Sequence, residues 1–298
     1  MNKKRNSLIE LYRFIFSMNV VKNHGYFPYQ GKLFSPGRIS VEFFYVLSGF
    51  LLVKSIDKYN NHSYFKGLFL FVRDKLFSMG IPLLIGLIFG ACYRVVIGVS
   101  AWWDISIWGY LWYVHDMIVV FMFYYTIRRI FKNQKIFILI TSLVFAITSI
   151  LHAIPEFFAW GYYRAFSSIS LGILISFIPS LNLKRQYLIW IPLVLCYAFT
   201  LRMLLFDFTF VEEEILDLII YPALIYLTFQ LSVYNVVLNY LGALSFGLYA
   251  YQNVTRFMSL MGYENVIVSF IIILSLAIIS DLIKRIVIWK REKEEVPV

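Results

Sequence analysis

The sequence predicts an all-α integral membrane protein, a bundle of about ten transmembrane helices with both termini cytoplasmic. Three observations predict it. Hydrophobic residues make up 60% of the 298-residue chain and charged residues only 15%, with a mean hydropathy of +0.74; a soluble globule of this size has no interior able to hide so much apolar surface. The apolar runs lack the alternation of a strand, which excludes a transmembrane β-barrel. The basic residues fall on alternate connections, the positive-inside pattern of a multi-pass chain.

A spanning helix needs about 20 predominantly apolar residues. The runs that qualify are 8–24, 41–56, 78–97, 108–127, 136–151, 163–179, 187–206, 216–233, 240–257 and 265–286. They leave only short connections, so one membrane-embedded domain over 1–298 is expected, with no separate soluble domain. The first run holds Glu10 and Arg13, and no small-residue cleavage site follows it. Lys3-Lys4-Arg5 therefore introduces an uncleaved first span, not a signal peptide. The longest connection on the basic side is expected at 57–75, with a turn at Asn60-Asn61-His62-Ser63. No short repeat and no low-complexity tract interrupts the pattern.

Most of the 27 basic residues lie on the side of the termini: Lys3, Lys4 and Arg5; Lys54 to Lys75; Arg128 to Lys135; Lys184 and Arg185; Lys284 to Lys293. The other side and its span ends hold Lys22, Lys32, Arg38, Arg94, Arg164, Arg202 and Arg256, with the acidic run Glu212-Glu213-Glu214. The net charge of +10 is thus topology, and no nucleic-acid partner is expected. The two cysteines, Cys92 and Cys196, fall in or at the edge of apolar spans and read as small packed hydrophobes. No metal site is expected.

Ionisable residues inside spans are costly and point to function. Arg13 and His24 stand eleven residues apart, which returns to within about 20° of one helix face and places them about 16 Å apart along the axis. Glu10 and Ser17 share that stripe. The alternative is an interfacial helix end, with Arg13 snorkelling and His24 wetted, but a lipid-facing stripe of this kind is expensive. In the second span Glu42, Tyr45 and Gly49 lie together, and Ser48 can bond across helices. Ser48-Gly49 reads as a packing site, since it lacks the context of a hydrolase elbow.

Trp108, Trp112 and His115 share a face of the fourth span with Asp116 nearby. Trp102, Trp103 and Trp108 fit an interfacial aromatic belt. Ser245, Tyr249, Gln252 and Arg256 form one polar stripe, lining a cavity or bonding helices together. His62 and His152 are expected to be solvated in connections, and Asp281 to pair with Lys284 or Arg285 at a helix end.

These residues together resemble acyltransferase family 3, the integral-membrane O-acyltransferases of bacterial surface polysaccharides and related acceptors. The resemblance rests on Arg13 and His24 in the first helix, Val41-Glu42-Phe43-Phe44 and Ser48-Gly49-Phe50 in the second, Leu111-Trp112-Tyr113 in the fourth, and Leu241-Gly242 through Ser245-Phe246-Gly247-Leu248-Tyr249 in the ninth. It covers nearly the whole chain. The sequence departs from the family's pattern at Met79, where an Arg before Pro82 is usual, at Tyr110, which replaces a His before Leu-Trp, and at Gln252, where a His is common.

The resemblance implies transfer of an acyl group, most simply acetyl, from a cytoplasmic acyl-CoA to a glycan hydroxyl. No permanently bound cofactor is implied; acetyl-CoA or another acyl-CoA is the donor substrate. The expected partners are the acyl-CoA, a polysaccharide or lipid-linked sugar and the lipids of a bacterial cytoplasmic membrane. His24 is the implied general base, with Glu42 orienting it or holding the acceptor. Arg13, Arg73 and Lys75 are assigned to the donor. Ser17, Tyr45, Ser48, Trp112, His115, Tyr249, Gln252 and Arg256 are assigned to the acceptor path or its lining. Two other classes stand beside this reading. A multi-span transporter or flippase of a glycan or small anion would use the same stripes for permeation, although no inverted repeat is evident. A structural membrane subunit would tolerate changes at Arg13 and His24.

Overall fold

The computed structural model describes residues 6–24, 36–96, 112–153, 161–180, 215–231, 233–252 and 265–294, with the single positions 194, 198, 254, 258 and 262. Among the described residues it is helical, without a strand. The helices are α1 (Ser7–His24), α2 (Pro36–Asp57), α3 (Tyr64–Val96), α4 (Trp112–Ile130), α5 (Gln134–Ala153) and α6 (Gly161–Ser176), then a π-turn (Leu216–Ile220) running into α7 (Tyr221–Gln230), α8 (Val236–Ala250) and α9 (Val266–Glu294).

Asparagine starts four of them. The side-chain oxygen of Asn6 accepts from Leu8 N at 3.1 Å, that of Asn133 from Lys135 N at 2.9 Å, that of Asn235 from Leu238 N at 3.1 Å and that of Asn265 from Ile267 N at 3.0 Å. Each satisfies a backbone donor that has no partner within its own helix. Pro36 opens α2, where a missing N–H costs nothing.

Among the described residues, two helices, Gln134–His152 and Ile267–Ile286, are long and apolar enough to cross a membrane, with mean hydropathies of 2.0 and 2.3. On α5, Leu139, Leu143, Ile147 and Ile150 are exposed at helical spacing. A stripe of that kind is unfavourable in water and suits a lipid surface, as in a helical membrane protein.

The expected spans that fall on described residues coincide with helices, but in the ninth, 240–257, the helix ends at Ala250 and the chain turns at Tyr251 and Gln252. Two further readings differ. The connection expected at 57–75 shrinks to the turn after Asp57. Tyr59 N donates to Ile56 O at 2.9 Å and His62 N to Tyr59 O at 3.1 Å, and α3 begins at Tyr64. Apolar residues from Leu68 to Val72 carry the helix through the basic stretch, and no proline intervenes before Pro82. Cys92 is not packed but exposed and free, because it continues the uncovered face of Leu84, Ile88 and Val95. The expected span 187–206, including Cys196, lies outside the described residues apart from helical Val194 and Ala198.

The chain forms two compact units. One comprises 1–31, 77–110 and 233–298. In it α1 packs along α8, and α8 packs on α9. Its core contains Val21, Leu244, Leu248, Tyr251, Ile273 and Ala277. Buried Ser7 ties the helix starts together: its hydroxyl donates to Asn239 Oδ1 at 2.9 Å and accepts from Asn235 N at 2.6 Å. The other unit comprises 32–76 and 111–232. Here α6 is central, packed against α2, α4 and α5. Gly49 faces the Ile169 carbonyl and Gly172 faces the Val46 carbonyl, each so closely that a Cβ would sit 2.1 Å from the oxygen. These two glycines set the α2–α6 spacing.

Candidate functional site

In the second unit, residues from four helices and the π-turn surround the start of α6. Glu42 projects from α2 and is almost fully buried, with its side chain 1% exposed. Its Oε1 accepts a hydrogen bond from Nε of Arg164, on the first turn of α6, in an ion pair whose Arg side chain is 9% exposed. The guanidinium lies 5.9 Å from the centre of the Trp112 ring, within cation–π range. Asp217 and Tyr45 add their electrostatic influence on Arg164.

Asp217 sits in the π-turn, where Tyr221 N–H bonds back to Leu216 O. Pro222 has no N–H to donate to Leu218, and the turn before it widens to the π register. A cavity no larger than a water site lies beside Arg164 and Asp217 and is also lined by His152, Ser167 and Ser168. His152 is therefore not solvated in a connection: it lies buried on the last turn of α5. Arg164, grouped by sequence with the span-end cations, is likewise an interior residue.

Next to this cluster, Asp116 is buried and its Oδ1 lies 3.3 Å from His115 Nδ1. Tyr162 OH is 3.1 Å from the same nitrogen. Gly161 admits Asp116 and Trp112 to the start of α6, since a Cβ there would stand 2.3 Å from Asp116 Oδ2. Tyr45 packs on Tyr113 with ring centres 4.7 Å apart, and Ser48 Oγ approaches Met117 Sδ at 3.7 Å. Five sequence-selected residues, Glu42, Tyr45, Ser48, Trp112 and His115, thus collect around the α2–α4–α6 contact.

On the basic side of the same unit, Arg73 donates to Asp74 Oδ1 from Nε at 3.1 Å and from Nη2 at 2.9 Å. Tyr59 OH donates to Asp74 Oδ2 at 2.7 Å. Burial and the neighbouring Asp74 carboxylate push the Tyr59 phenol up to about 12. An anion reaching Arg73 would compete with Asp74. Lys75 lies between two rings, its Nζ 5.5 Å from the centre of Phe71 and 5.2 Å from that of Phe121. Burial, and to a lesser degree Lys58, pushes its ammonium down to about 8.

In the first unit, Glu10 and Arg13 form an i,i+3 ion pair on α1, with Arg13 Nη1 3.0 Å from Glu10 Oε2. Glu10 is buried and Arg13 is about one-third exposed. Ser17 is wholly buried and its hydroxyl donates to Arg13 O at 2.8 Å. Of the expected polar stripe, Ser245 and Tyr249 are buried on α8, and Gln252 is buried in the turn that follows the helix end at Ala250. His24 ends α1, but its side chain, like Arg256, lies outside the described residues.

From residue 9 to residue 284, the chain matches the family model described as an acyltransferase domain, acyltransferase family 3. The chain belongs to that family. No curated protein and no solved structure matches it.

For this acyltransferase-family chain, the geometry supplies partners that the motif residues could not name. Gly242 of the α8 motif faces Glu10, and Glu42 of the α2 motif meets Arg164. Sequence reasoning missed Arg164 and Asp217 as site residues. The available signal was an Arg and an Asp within the otherwise apolar runs 163–179 and 216–233, each of which needs a partner inside a membrane.

Proposed function

We propose that this membrane acyltransferase is an O-acyltransferase, taking an acetyl or related group from cytoplasmic acyl-CoA and placing it on a hydroxyl of a cell-surface glycan. The observation that carries the reading is the family match over residues 9–284, which includes Arg13, His24, Glu42 and Trp112. In this reading the chain crosses the bacterial cytoplasmic membrane about ten times as a single domain, with both termini inside.

Arg13, Arg73 and Lys75 receive the anionic donor; a guanidinium is suited to phosphate and carbonyl oxygens. Sugar hydroxyls are poor nucleophiles at neutral pH, so His24 takes the hydroxyl proton as oxygen attacks the thioester carbonyl. The carbon–sulfur bond breaks, and the proton passes to the departing CoA thiolate. Glu42, with Trp112, His115 and Tyr45 nearby, belongs to the acceptor side.

The test uses membranes containing the chain, labelled acetyl-CoA and the host's membrane glycan. Label in the glycan, with release of CoA thiol, is expected. Structural analysis of the surface glycan with and without the gene should show loss of an O-acyl group. An unchanged glycan and no thiol release would overturn the proposal in favour of transport.

A further inference from the structure

Two stretches that carry the family resemblance, one containing Glu42 and one containing Trp112, converge on a side chain that neither includes. Arg164 donates to Glu42 Oε1, lies 5.9 Å from the centre of the Trp112 ring and feels the Asp217 carboxylate. The second carboxylate oxygen, Glu42 Oε2, is buried and accepts no hydrogen bond among the described residues. Stability alone is a weak reason for this arrangement, since a buried ion pair is often replaceable by apolar packing at no loss. Geometry is a stronger one. The guanidinium is a rigid planar donor, α6 is fixed to α2 through Gly49 and Gly172, and Ser149 Oγ and Ser167 Oγ join α5 to α6 at 2.7 Å.

We propose that Arg164 is a positioning residue of the transfer site: it fixes the Glu42 carboxylate through Oε1 so that Oε2 receives the hydrogen bond of the acceptor hydroxyl. This rests on the acyl-transfer reading above. Arg164 acts through Glu42 and touches neither donor nor acceptor. Asp217 and His152 line the small cavity beside it, and the Trp112 ring lies within cation–π distance of the guanidinium.

The experiment is a double-mutant cycle on the full chain, in membranes given labelled acetyl-CoA and the host glycan, with melting in detergent as the check of folding. Arg164→Lys keeps the charge but loses the fork; kcat should fall about tenfold or more while the KM for acetyl-CoA stays within about twofold. Arg164→Gln should cost about 10²-fold in kcat, the scale of a misplaced reacting group. In a Glu42→Gln background the same change should cost nothing further, because a residue acting through another adds nothing once that other is gone. The Glu42→Gln/Arg164→Gln chain holds no lone buried charge of the pair, so it remains testable if Arg164→Gln alone fails to fold. Independent, multiplying losses would overturn the inference, as would Arg164→Lys with unchanged kcat and only a lowered melting temperature. Absence of transfer by the unaltered chain would instead overturn the acyl-transfer reading and this inference with it.

Discussion

Gly242 on α8 is the floor on which Glu10 of α1 rests: a Cβ at position 242 would stand 2.1 Å from Glu10 Oε2 and 2.7 Å from its Cα. The carboxylate so placed binds Arg13 Nη1 at 3.0 Å. One glycine therefore serves both the packing of α1 on α8 and the orientation of a cation assigned to the donor.

Gly242→Ala should accordingly push Glu10 backbone away: the Oε2 tip can swing aside, but Glu10 Cα also lies 2.7 Å from the new methyl group and cannot. A loss of about 1–3 kcal/mol is expected for overpacking of this kind. Thermal melting of the purified chain would read it as a lower midpoint, and an unchanged midpoint would mean that α1 and α8 are not packed this tightly.

Gly172→Ala and Gly49→Ala should each be destabilising, because each new methyl group meets backbone of the opposite helix. Both changes widen the same α2–α6 contact, so the double variant should lose less than the sum of the two singles. Strictly additive melting shifts would argue that the two contacts are independent.

Lys75 gives a pH signature. Its folded ammonium titrates near 8, below its ordinary 10.5, so between those values the unfolded chain holds more protons at this position. Stability arising from this group then rises with pH across that window, and the penalty of burying the charge is fully present below about 8. Lys75→Met should gain stability over the unaltered chain near pH 7.5 and lose that advantage by pH 10. Paired melting curves would check it; an advantage that grows with pH would contradict the burial of Lys75 between Phe71 and Phe121.

His24→Ala should leave a folded, membrane-inserted chain whose transfer rate falls about 10²–10⁴-fold, the usual contribution of a general base. Binding of acetyl-CoA should persist, since Arg13 stands about 16 Å away along the helix. Normal decoration of the glycan by a normally expressed His24→Ala chain would remove His24 from the mechanism. Arg13→Lys should instead weaken the donor, raising the KM for acetyl-CoA.

Topology is open to cysteine labelling. Cysteines introduced at residues 30, 60, 133 and 212 should report outside, inside, inside and outside. Labelling of 133 and 212 from one side would change the number of crossings.

The sequence by itself determined what one helix decides. Apolar length placed α1 and α5 within a few residues of their observed ends, and the 3.6-residue period put Glu10, Arg13 and Ser17 on one stripe, where Glu10 pairs with the Arg13 side chain and Ser17 donates to the Arg13 carbonyl. It also marked Gly49 as a point of close approach, because the absence of a Cβ is a local fact. It misplaced the start of α3, because charged residues in a helix that continues past an apolar core look like a loop when only hydropathy is read. Tertiary structure alone decided which stripe meets which. Glu42 could have faced any helix of the bundle, and its period says nothing of Arg164, which lies 122 positions away. Residue spacing fixes directions around a helix axis, whereas the partner across a helix contact depends on which small residues let two backbones approach. In this chain those are Gly49, Gly172 and Gly242, and they bring Glu42 to Arg164 and Glu10 to α8.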